Sequence, residues 1–425
     1  MREFWQTSGV LALSALLLTT APSCVKEGAD GEGAQLGVAT QLPVIWRAHL
    51  TDSGSRLKRS LMKGSLPYDN GLVVLRETER GAELAHLDAQ DGSEQWTWQD
   101  FYPADQRGPL QFETYYRHDH LLLIAIANRR YVIDLNTGRT VRREEVATRA
   151  WIISGYGDRY FVSGTPGDVS DSLVYAVYTG TLSDPGEELL FKPAYRYQLV
   201  DAAGIAGDVG APLALVDDSG DVILGYGYGN PISSYDISLH YGSYNLTQGR
   251  PETADVLLEP STFLSASGPF ELDDYRAFHQ VNEGTICVNH LTGERIYRVS
   301  ALTGLFAPPR VFDGRLIISS EDTYLYAFDA ATGQQLWREK SSGTTSPLAY
   351  LNGVIYYTGG GDGLLHAVDA ATGEHLWKVR SPDQDRNAGS SFSRRVTVVE
   401  GAGPGGGGLV VAETYLAAVA YAAAR

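Results

Sequence analysis

Tyr326-Ala327-Phe328-Asp329-Ala330-Ala331-Thr332-Gly333-Gln334-Gln335-Leu336-Trp337 is followed, forty positions on, by His366-Ala367-Val368-Asp369-Ala370-Ala371-Thr372-Gly373-Glu374-His375-Leu376-Trp377. Two such near-copies at one fixed offset are the mark of a repeat architecture. Each copy has a mechanical reading. An alternating run forms a strand. Asp and Thr then bond nearby backbone groups while Gly accepts a positive φ, so the chain turns tightly. The next strand carries an aromatic residue, which offers a wide face to a neighbour and an N–H in search of an acceptor.

Looser copies lie upstream. Asp88 and Gly92 lead to Trp96, and Asp134 and Gly138 lead to Arg142. Asn289 and Gly293 lead to Tyr297. Asn245 to Gly249 is weaker, and Val177-Tyr178-Thr179-Gly180 is weaker still. Before the last clear turn stand two more runs, Ser346 to Leu351 and Val354 to Thr358, split by the turn pair Asn352-Gly353. Four strands in about forty residues is the period of a propeller blade. Repeat turns fall near 88, 134, 178, 245, 289, 329 and 369. An eighth unit is assembled from both ends: Tyr415 to Tyr421 lacks a following aromatic strand, and Val44-Ile45-Trp46 lacks a preceding blade. Pairing them removes two sheet edges. The expectation is an all-β, eight-bladed β-propeller over 42–425, closed by its N- and C-terminal strands. Seven blades is the alternative, should 150–255 hold one unit fewer. The wide gap between the turns at 178 and 245 indicates an insertion.

The spacing Ala-x-Asp-x-x-Thr-Gly-x-x-x-Trp at 327–337 and 367–377 resembles the repeat of the quinoprotein-type (PQQ-like) propellers, and 86–96 keep its Asp, Gly and Trp. With the anchor described next, the whole is similar to the BamB-like lipoproteins that assist outer-membrane barrel assembly. The quinoprotein dehydrogenases among the relatives imply PQQ and Ca²⁺ on the axis, with a disulfide between adjacent cysteines. The two cysteines here, Cys24 and Cys287, are far apart, which argues against that cofactor. No cofactor, metal ligand or catalytic residue is therefore expected.

Residues 1–23 read as a lipoprotein signal peptide. Val10 to Leu18 is apolar but too short to span a bilayer, and small residues precede Cys24, the expected lipidation site. Residues 24–41 form a polar, Gly-rich tether. Acyl chains on Cys24 would place the protein on the outer membrane, facing the periplasm or the exterior. Cys287 reads as a small buried hydrophobe. A net charge of −17 repels a phosphate backbone, so nucleic acid is excluded as a partner.

Other motifs reduce to turns. Gly359 to Gly363 and Gly403 to Gly408 lack the Lys and Ser/Thr of a phosphate loop. His118-Asp119-His120 and Asp217-Asp218-Ser219-Gly220-Asp221 each sit between two apolar runs, where a hairpin turns. The Tyr-rich, Gly-spaced stretch through Tyr226, Tyr228 and Tyr235 departs from the repeat and is the candidate surface for a partner. The function that follows is a non-enzymatic, lipid-anchored scaffold binding an envelope protein, such as the barrel-assembly machinery. The alternatives are a quinone- or metal-dependent oxidoreductase working on the axis, and a surface binder of polysaccharide.

Overall fold

Strands whose successive residues are all buried must be covered on both faces, because side chains alternate from one face to the other. Leu72 and Val74 point one way and Val73 and Leu75 the other, and all four are buried. In the computed structural model this pattern recurs around a ring. The structure describes residues 41–51, 65–103, 105, 114–166, 175–193, 209–231, 237–262, 271–281, 284–300, 308–320, 322–343, 346–383, 391–392 and 395–425. Cys24, the signal segment, nearly all of the tether and Tyr235 lie outside them.

The described strands form eight four-stranded antiparallel sheets. Blades 1 to 7 span 66–98, 114–145, 148–191, 213–262, 271–299, 310–340 and 349–379. Each is a meander in chain order. Blade 8 takes three strands from the C-terminus, Val396–Val399, Leu409–Glu413 and Ala417–Ala422, and its outer strand, Trp46–His49, from the N-terminus. Trp46 pairs with Ala420 and His49 with Ala417. The ring thus has eight blades rather than seven and is sealed as expected.

The core follows the ring. Among the described residues, eight apolar clusters occur, and each joins one blade to the next, including blade 8 to blade 1. Cys287 is buried in the cluster between blades 5 and 6, and burial pushes its thiol up to about 12, which leaves it inert at neutral pH.

Two local readings change. The weakest turn is not at 177–180, which lies inside the strand Ala176–Thr181; the chain turns between that strand and Glu188–Phe191. The insertion is a connector after blade 3, with Val209 bridged to Tyr228, together with a blade 4 whose outer strand Arg250–Thr262 is 13 residues long.

Candidate functional site

The repeat motif builds a latch between blades. In the turn after a third strand, the Asp carboxylate accepts from the backbone: Asp329 Oδ1 takes the Ala331 and Thr332 N–H groups at 3.0 and 2.8 Å, and Asp369 does the same at 2.9 Å. Asp88 and Asp134 each accept one such bond at 2.8 Å. The glycine closes the loop by donating to the carbonyl four residues back, at 2.8 Å for both Gly333 and Gly373, with φ of 71° and 80°.

The outer strand then carries one extra residue. Ala327 pairs with Trp337 but Phe328 with Gln335, which leaves Leu336 bulged; the same step leaves Leu376, Ile296, Val141 and Gln95 unpaired in their blades. A bulge turns the next side chain, here toward the neighbouring blade. Trp337 Nε1 donates to Ala370 O at 3.1 Å in blade 7, and its ring lies over Gly373, where an added Cβ would sit 2.7 Å from Cε3. Trp46 donates to Ala89 O at 2.6 Å over Gly92, and Trp96 to Leu135 O at 2.9 Å over Gly138. Tyr297 reaches Ala330 O at 2.6 Å, and Arg142 reaches Thr181 O at 2.9 Å. Trp377 faces the seam where the two chain ends meet and packs against Tyr356 instead.

Blades 3 and 4 break the rule. Phe191 holds the latch position of blade 3, paired with Val177. It has no donor, and it packs on Tyr226 and Tyr244 at centroid distances of 4.5 and 5.0 Å. Gly249, the matching glycine, has nothing above it. The connector fills the space: Ser163 Oγ donates to Val209 O, and Ser154 Oγ to Pro212 O at 2.5 Å.

This seam also corrects the reading of the tyrosines. Tyr226 and Tyr228 are 6 % and 1 % exposed, within the cluster that joins blades 3 and 4. Burial raises the Tyr226 hydroxyl to about 12. Their glycine spacing has a packing cause, since Tyr226 pairs across the strands with Gly242 and its ring occupies the space a Cβ there would need, 2.6 Å away. As folded, neither ring is presented on the surface.

The other motifs are turns, as read. Asp119 sits at φ 50° between Thr114–His118 and Leu121–Ile126. Asp217 Oδ1 caps the Ser219 and Asp221 N–H groups, both at 2.9 Å. A cleft of about 580 Å³ opens at the seam of blades 8 and 1. His49, Arg76, Arg80, Glu77 and Glu83 line it, and Arg76 Nη2 lies 2.6 Å from Glu83 Oε1, so charges of both signs meet there. Cys287 has no neighbouring cysteine, and no group of three or more His, Cys, Asp or Glu that could hold a metal occurs among the described residues.

Comparison with known proteins agrees with the geometry. Residues 282–424 match the family model described as outer membrane protein assembly factor BamB. No curated protein matches the chain. Among solved structures, BamB from Moraxella catarrhalis is 15 % identical with a TM-score of 0.53, covering 91 % of this chain and 98 % of that one. A europium-containing methanol dehydrogenase is 13 % identical with a TM-score of 0.61, covering 87 % and 84 %. Sqt1 from Saccharomyces cerevisiae is 10 % identical with a TM-score of 0.61, covering 90 % and 100 %. At such identities a likeness establishes the fold alone. The chain is an eight-bladed β-propeller, similar from the middle of blade 5 to the end of the ring to the BamB family.

Proposed function

We propose that the protein is a lipid-anchored scaffold of the cell envelope that binds another envelope protein, in the manner of outer-membrane assembly factors. The observation that carries this reading is the match of residues 282–424 to the BamB family within a ring sealed by the chain's own ends. Such a ring is a stiff platform, and its function lies in the surfaces mounted on it. The outer strands of successive blades present apolar side chains to solvent: Leu189, Leu257, Ile296 and Leu336 are exposed on blades 3 to 6. These strands also have one unpaired backbone edge, the feature that invites another chain. Cys24 is the proposed acyl site, residues 1–23 the segment removed and 24–41 the tether.

The test has two arms. Cys24→Ala should move the protein from the membrane pellet to the soluble fraction and abolish fatty-acid labelling. Crosslinking in intact membranes, followed by identification of the captured protein, should recover components of barrel assembly. The double change Leu257→Glu with Ile296→Glu should weaken that capture without lowering Tm by more than a few degrees. Capture of no envelope protein by a folded, membrane-bound chain would sink the reading. Adding PQQ and Ca²⁺ should leave Tm unchanged; a rise would favour the oxidoreductase instead.

A further inference from the structure

The seam that lacks a latch carries a second arrangement. Ser238 and His240 stand two apart on one strand and so point to the same face. Across the ladder they pair with Asn230 and Tyr228, which share that face. Ser238 Oγ lies 2.9 Å from His240 Nε2. On the far side of the ring, His240 Nδ1 is 2.7 Å from Asp255 Oδ1, a close ion-pair contact rather than an in-line hydrogen bond. Asp255 is held there by an irregular stretch of the outer strand, with its backbone at φ 61°, and Tyr228 donates its hydroxyl to the same oxygen at 2.9 Å. The Tyr228 ring stacks on the His240 ring at 5.3 Å and fixes its plane. His240 and Asn230 are buried, while Ser238 and Asp255 are half-buried.

We propose that Ser238, His240 and Asp255 form a nucleophile, base and orienting carboxylate for acyl transfer, acting on carboxylic esters. His240 Nε2 within reach of the serine hydroxyl is what such a base requires, and the carboxylate beside Nδ1 offsets the charge the imidazole gains on taking the proton. As Ser238 Oγ bonds to the ester carbonyl carbon, its proton passes to His240 Nε2. The bond to the alkoxy group then breaks, and the leaving alcohol takes that proton. Water hydrolyses the acyl-serine by the same route, releasing the carboxylic acid and restoring Ser238. Asp255 is a positioning residue.

The test uses the full chain with a fluorophosphonate probe and p-nitrophenyl butyrate. Wild type should be labelled at Ser238 and hydrolyse the ester, with both lost at least a hundredfold in Ser238→Ala and His240→Gln. Asp255→Asn should move the acid limb of the rate profile to lower pH, because the imidazole loses the carboxylate that favours its charged form. Ser238→Cys guards against a folding defect: with circular dichroism unchanged, its thiol should react with iodoacetamide below pH 7, unlike buried Cys287. No labelling of the folded wild type, labelling that survives in Ser238→Ala, or an unreactive Cys at 238 overturns the proposal. Membrane crosslinking does not depend on these outcomes.

Discussion

The seam between blades 6 and 7 and the seam between blades 3 and 4 solve one problem with different chemistry. At the first, a tryptophan swung out by a bulge donates to Ala370 O and covers a glycine whose added Cβ would press on its ring. At the second, Phe191 occupies the same position with no donor, Gly249 is uncovered, and tyrosines with an inserted connector provide the contact. The first contact is directional, local and written in a few residues. The second is apolar and adaptable, and it frees side chains for other arrangements, such as the one around His240. A repeat holds a ring together, and the place where it lapses has room for chemistry.

The sharpest way to break this contrast is to remove the latch. Trp337→Ala should lower stability by about 3–5 kcal/mol, the usual loss for a large aromatic truncated in a packed site, read as a fall in the urea midpoint at constant m. An effect under about 1 kcal/mol would mean the latch contributes no more than an exposed contact.

Acid should strike the irregular side first. His279 and His290 lie beside Tyr241 near the seam of blades 4 and 5, and burial lowers them from 6.5 to about 3 and about 4. Below the ordinary histidine pKa the unfolded chain takes up protons that the folded chain refuses. Stability present above pH 6.5 is therefore lost as pH falls through the window down to about 4. From pH 7 to 5 the loss should be on the order of 2–4 kcal/mol, and His290→Gln should reduce it. Hydrogen-exchange protection factors at pH 5 should fall in blades 4 and 5 before blades 6 and 7; a uniform fall would erase the contrast.

Two alanine substitutions make the smallest and most controlled comparison. Both glycines have left-handed backbones, so both changes cost about 1–2 kcal/mol in strain. Gly373→Ala should lose about 1–2 kcal/mol more, because the new Cβ meets the Trp337 ring. Gly249→Ala should lose only the strain, as nothing stands above it. Equal losses would show that ring and glycine do not press on each other.

The ring was legible in the sequence because its turns need particular chemistry. Asp329 and Asp369 must cap their own turns, Gly333 and Gly373 must turn left-handed, and a tryptophan must follow at fixed distance. Asn289 to Tyr297 could be read through its substitutions because Asn and Tyr still perform those tasks. The bulge was not legible, since an extra residue in a strand changes pairing without changing composition. Tyr226 and Tyr228 were misread because glycine spacing has two causes. A loop needs glycine for freedom, whereas here Gly242 makes room for a ring lying across it. The grouping of Ser238, His240 and Asp255 was equally invisible. It depends on a strand register and on an irregularity at Asp255, and neither leaves a spacing to search for.

The composite eighth blade has a consequence for assembly. Trp46–His49 is synthesised long before Ala417–Ala422, the strand it must pair with. Until the two pair, blade 1 keeps an uncovered apolar flank, and no intermediate can pass as finished. A chain that lacks either of these strands leaves the ring open, with an unpaired sheet edge.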